Sequence, residues 1–148
     1  MRTSCRFGMA VHVLTLLAYH EGDRVTSTFL AASVNTNPVI IRRLLLALQR
    51  AGLVETSKGA RAGSRLCRSP RRIDLGEVYR AVETSEPFAQ PSRKPNAACP
   101  VGNCIHKALN SIFASAQSAL ERDLGKTTLA DVLSTVRAAG KGALSAPV

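Results

Sequence analysis

Apolar residues recur every three or four positions through the first third of the chain, and this spacing lays out helices before any other feature is considered. Phe7, Val11, Leu14 and Ala18 fall on one line with Ala10 and Leu17 beside it, which predicts a helix from about Ser4 to His20. His12 lies inside it and is given no chemistry. Gly22 ends this helix, and Val25, Thr26 and Ser27 open a shorter one to about Val34, with Phe29, Leu30 and Ala32 turned to the core. A third begins at Asn37-Pro38, where an asparagine side chain can cap free amides and proline suits the first helical position. Ile41, Leu44, Leu45 and Leu48 then define a buried stripe that leaves Val39, Arg42, Arg43 and Ala47 outward. Two short helices joined by the tight link Asn35-Thr36 form a helix-turn-helix, whose second member can enter a major groove.

After Gly52 the period shortens. Leu53 to Ser57 and Ser64 to Arg68 read as strands of a hairpin with a basic, glycine-containing tip, which makes the unit a winged helix. A fourth helix is expected from Asp74 to Glu83, with Leu75, Val78, Tyr79 and Val82 inward. Residues 84–100 contain four prolines and read as a linker or irregular loop. From Gly102 to about Leu124, Ile105, Leu109, Ile112, Phe113, Ala116 and Leu120 make a long amphipathic stripe, more than a small winged-helix core needs, and it is expected to pack against its twin in a homodimer. Thr127 and Thr128 open a last short helix to about Ala138. The fold expected is therefore mainly α, a winged helix-turn-helix domain with a two-stranded wing plus a long C-terminal dimerisation helix. Its parts are a DNA-binding domain over residues 1–83, a cysteine-containing loop over 84–101, dimerisation helices over 102–139 and a flexible tail over 140–148. No internal repeat is present.

Charge changes this picture from a scaffold to a binding surface. The chain has 148 residues, 45% of them apolar, enough for one core of ordinary size. Its 20 basic residues face 10 acidic ones, and 13 of the bases but only 5 of the acids lie within residues 1–80. Between Arg42 and Arg72 nine bases (Arg42, Arg43, Arg50, Lys58, Arg61, Arg65, Arg68, Arg71 and Arg72) accompany a single acid, Glu55. An excess confined to one half, on a recognition helix and a hairpin tip, implies a polyanionic partner, and double-stranded DNA is the reading that follows. Arg42 and Arg43 can reach phosphates or guanine edges, Asn37 a phosphate or an adenine, and Val39 a thymine methyl. Aromatic residues make up 4% of the chain, too few for the stacking platforms that bind single strands. The apolar run Met9 to Tyr19 is too short to span a bilayer and is followed by His20, Glu21, Gly22 and Asp23 rather than by small residues, so neither a membrane nor an export signal is expected. The chain is read as cytoplasmic, with reduced thiols.

The run "NPVIIRRLLLALQRAGLVETSKGARAGSRLCRSPRRIDLGEVYRAVE", followed by "CPVGNC" and a long helix, resembles the Rrf-two family of winged-helix transcriptional regulators, the IscR, NsrR and CymR type. Its most specific pieces are "LQRAGLVETSKG" entering the wing and "RIDLGEVYRAVE" leaving it. The resemblance implies a homodimeric regulator, expected to repress, on a pseudo-palindromic operator, with DNA contacts at Asn37, Val39, Arg42 and Lys58. Where the family has a glycine cluster followed by an aromatic in the wing, this chain has Ala62-Gly63-Ser64, which shifts groove contacts toward Arg61.

The cysteines leave three sensing readings open. Cys5, Cys67, Cys99 and Cys104 are too few and too unevenly spaced for a secreted disulfide framework. Cluster-binding members of the family carry three cysteines near the start of the dimer helix, whereas here only Cys99 and Cys104 stand there. An iron-sulfur cluster needs four ligands, so it would have to draw on His106 and on Cys5 of the partner subunit. The leading expectation is instead no cofactor and a thiol switch at Cys99 and Cys104, near a helix N-terminus, where the dipole favours a thiolate. The third reading is a regulator without cysteine-based sensing. Cys67 reads as a small packed residue on a wing strand. No nucleophile-base pair, carboxylate pair or phosphate loop is present, so an enzyme is not expected.

Overall fold

The structure, a computed structural model, describes residues 4–144, with side chains through residue 140. Helix α1 (Arg6–Tyr19) buries Ala10, Val13, Leu14, Leu17 and Ala18, and α2 (Ser27–Val34), α3 (Pro38–Arg50), α4 (Leu75–Val82) and α6 (Leu129–Leu144) all touch it. In α2 the inward residues are Leu30 and Ala31, while Phe29 and Ala32 are exposed, unlike the expected phase. Thr26 caps α2 by accepting the Phe29 N–H at 3.2 Å, and Asn35 ends it in the left-handed region at φ 60°, which asparagine tolerates better than most residues. The tight link to α3 thus has a backbone reason. Helix α3 buries Ile41, Leu44, Leu45 and Leu48, the stripe that its spacing predicts.

The wing is an antiparallel pair, β1 (Val54–Ser57) and β2 (Gly63–Leu66), in the register Val54↔Leu66 to Ser57↔Gly63, and its tip contains a 3₁₀ turn at Gly59–Arg61. A single extra bridge joins Val25 to Ser64, with N–H donations of 2.9 and 2.8 Å in the two directions. Gly63 makes that approach possible: its φ is 139°, and a Cβ there would lie 3.0 Å from the backbone of Arg24 and Val25. Cys67 is exposed just past β2 rather than packed, because the last paired residue is Leu66 and only the Cys67 amide is held, by the Leu53 carbonyl at 3.0 Å.

Helix α5 (Pro100–Leu124) begins two residues earlier than expected, with Pro100 in its first turn. It packs on α4 at Gly76, where a Cβ would meet the Glu121 carbonyl at 2.8 Å. The chain then returns to the core: the Leu75 N–H donates to the Thr127 carbonyl at 2.9 Å, the Leu129 N–H to the Ile73 carbonyl at 2.8 Å, and Leu129 and Leu133 are buried with residues of α1 and α4. Helix α6 runs to Leu144 and passes through Gly140, where a frayed tail had been expected; one glycine weakens a helix without ending it. The remainder of that expected tail, 145–148, lies outside the described residues. Residues 84–98 are irregular, as the prolines suggest, yet they lie on α5: the rings of Phe88 and Phe113 stack at 5.4 Å, and Gln90 Nε2 donates to the His106 carbonyl and to Asn110 Oδ1, both at 3.0 Å.

Candidate nucleic-acid interface

On α3 the residues two positions ahead of the buried stripe lie about 200° around the helix and so face solvent. Val39 is 45% exposed and Leu46 47%, and Arg42 and Arg43 are exposed between them, which sets two guanidiniums on one side with two apolar contacts. Asn37 is the N-cap, and its Oδ1 accepts the Val39 N–H at 2.9 Å. That oxygen is occupied, so the amide nitrogen is the part of Asn37 left for a ligand, and an Asn37 contact with a phosphate is the simpler of the two anticipated.

A groove of about 610 Å³ runs between α3 and the wing, with Arg42, Leu46, Lys58 and Gly59 among its lining residues. Thr26, Ser27 and Thr28 at the start of α2 line it too; the spacing of the sequence gives Thr26 and Ser27 only the opening of a helix and does not single out Thr28. Helix N-termini with hydroxyls suit phosphate oxygens. Arg43, Asn37 and Val39 lie beside the groove rather than in its lining, and Arg61 sits on the 3₁₀ turn at the tip.

Two of the nine bases are spoken for internally. Glu55 pairs with Arg65 and, at 3.2 Å, with Arg24, and Glu77 pairs with Arg68. These contacts brace the wing strands and α4. The other seven have no acidic partner among the described residues, and Arg42, Arg43, Lys58 and Arg61 among them leave uncompensated positive charge on the recognition helix and the tip.

A helix-turn-helix with a seated wing and an uncompensated basic recognition face defines a winged helix-turn-helix DNA-binding transcriptional regulator. Comparison with known proteins agrees. The family model Rrf2, described as an iron-dependent transcriptional regulator, matches residues 3–135, and the chain belongs to this Rrf2 (Rrf-two) family. YwnA of Bacillus subtilis (strain 168), assigned as an HTH-type transcriptional regulator, is 40% identical over 128 residues, covering 86% of this chain and 94% of its own. A crystal structure of a protein assigned as DNA-binding is similar at 37% identity with a TM-score of 0.71, covering 86% of this chain and 98% of that one. The structure of T. potens IscR is similar at 26% identity with a TM-score of 0.67, covering 92% and 88%. The family and these relatives are regulators, not enzymes.

The family also contains iron-sulfur regulators, and the residues of this chain can be tested against such a cluster. Cys99 is the N-cap of α5 and Cys104 lies in its second turn, both exposed. His106, the anticipated third ligand, has its Nε2 buried without a partner, shut away from solvent. No group of three or more metal-ligating side chains comes together among the described residues. The donor set of one chain does not fit a cluster. Cys5, the residue expected from the partner subunit, precedes α1 and is exposed.

The two thiols are not a ready disulfide either. Five residue steps from the N-cap into the helix separate their Cα atoms by about 7.5 Å along the axis, beyond the roughly 7 Å that a disulfide can bridge without backbone movement.

The anticipated dimer stripe divides between two faces. Phe113 is under Phe88 of the same chain, whereas Ile112 is 60% exposed and Leu120 39%, and α5 has no buried residue along its 25 positions. No helix of the described chain is long and apolar enough to cross a membrane.

Proposed function

We propose that the protein acts in the cytoplasm as a homodimeric repressor of a pseudo-palindromic operator, reading it with Asn37, Val39, Arg42 and Arg43 and anchoring the wing through Lys58 and Arg61. The observation that carries this reading is the exposed face of α3, with two arginines that have no acidic partner among the described residues, beside a basic wing. Association along Ile105, Leu109, Ile112 and Leu120 would cover the apolar side of α5 and set two recognition helices about 34 Å apart, one turn of duplex. The test is a titration of an operator found by selection from random duplexes, repeated over a range of salt. Affinity should fall on a log-log line with a slope of about −0.9 for each phosphate contact. Binding that is insensitive to salt would overturn the reading.

Sensing is assigned to Cys99 and Cys104 through oxidation. Peroxide takes two electrons from the two thiols, the sulfurs join, and the two thiol protons leave with the peroxide oxygens as water. Since the helical separation is too great for the bond, joining them must unwind the first turn of α5, between the loop and the stripe that sets the half-site spacing. Peroxide should therefore weaken operator binding by the wild type and leave Cys99→Ser and Cys104→Ser unchanged. The same response in all three proteins would remove the switch.

A further inference from the structure

The basic stretch is not one surface. The wing is about 10 Å long from its tip pair, Ser57↔Gly63, to its base pair, Val54↔Leu66. Arg71 follows the base, in a 3₁₀ turn at Pro70–Arg72 that packs against α6, and so stands at the end of the wing away from the tip. DNA held by α3 and the tip leaves it unused.

A second groove of about 660 Å³ lies there and shares no lining residue with the first. Arg71 lines it from the turn, Arg137 from α6 and Glu21 from beyond the end of α1, and Ser69, Leu133 and Ser134 are also in its lining. Neither arginine has an acidic partner among the described residues, Glu21 included. The Arg137 guanidinium lies 5.7 Å over the Tyr19 ring, a contact that orients its plane. Two guanidiniums brought from distant parts of the chain into one groove repel each other, and a carboxylate between them removes that repulsion through charge-assisted hydrogen bonds. A plain anion would also face Glu21. A carboxylate with a hydroxyl or amino group beside it meets all three: its acid lies on the arginines and its donor on Glu21. The volume is within the range of small-molecule pockets.

We propose that this groove binds a small hydroxy or amino carboxylate, and that the bound ligand ties α6 to the base of the wing. The site is separate from the operator reading, and its test involves no DNA. The full-length protein is titrated by calorimetry at neutral pH with L-malate, L-lactate and the L-amino acids, with acetate and sulfate as donor-free controls. At least one hydroxy or amino acid should bind saturably and more tightly than acetate or sulfate. Arg71→Gln and Arg137→Gln, with unchanged circular dichroism, should each weaken it about ten-fold or more, while Arg43→Gln should not. No saturable binding by any of these acids, equal binding of the controls, or binding that survives both substitutions would overturn the proposal. A failure of wild-type protein to bind duplex DNA would count against the operator reading alone.

Discussion

Replacing Arg42 and Arg43 together with alanine should reduce operator affinity by about a thousand-fold or more. Each contact of this kind contributes about 1 to 3 kcal/mol. A dimer would lose four of them, so even the low end of that range gives about 4 kcal/mol, or three orders of magnitude. Both side chains are exposed, and alanine is the better helix former, so the fold should be unaffected. The measurement is an electrophoretic or anisotropy titration at two salt concentrations. An arginine on a phosphate reduces the salt slope by about one when removed, whereas an arginine on a guanine mainly flattens the preference for operator over random duplex. Unchanged affinity in the double variant would take the recognition helix out of the mechanism.

Ile112→Asp should convert the protein to a monomer. In the single chain this side chain is 60% exposed, so a carboxylate there costs the fold little. In a symmetric dimer the two copies would bring unpartnered carboxylates into an apolar seam, at a cost on the order of 3 kcal/mol or more, which weakens self-association at least a hundred-fold. Sedimentation should show a monomer with normal circular dichroism and a normal thermal transition at low concentration. A monomer holds one half-site, so operator affinity should fall with it. If the variant sedimented as a dimer, the association surface would have to lie away from α5.

The elements whose burial pattern matched the sequence reading are those whose period had a single solution. In α3 the four large apolar residues fit one stripe only, and that phase alone sets Val39, Arg42 and Arg43 outward. In α2 nearly every residue is small or apolar, so periodicity could not choose between Phe29 and Ala31, and packing against α1 made the choice. The groove beside α3 was legible in its bases but not in Thr26, Ser27 and Thr28, since their presence there depends on a single bridge between Val25 and Ser64. Long-range pairing accounts for most of the rest. Glu55 and Glu77 remove Arg65 and Arg68 from the basic surface, Phe88 and Gln90 tie a proline-rich loop to α5, and Leu129 completes a core begun at Phe7. Each depends on which segments meet in space, information that local spacing does not contain.

The return of the chain at Leu129 bears on the order in which the protein matures during translation. Ile73 and Leu75 find their backbone partners in residues 127–129, and α1 its last apolar neighbours in Leu129 and Leu133, only after all of α5 has been synthesised. A nascent chain halted before that point holds every residue proposed to contact DNA but has a hole at the centre of its winged helix, of a kind that costs about 2 to 5 kcal/mol per missing leucine. The winged helix therefore completes its core at the ribosome only once α5 has already emerged. Premature fragments are expected to be unstable rather than competitors for DNA, and a graft of the winged helix onto another protein must carry residues 127–133 with it.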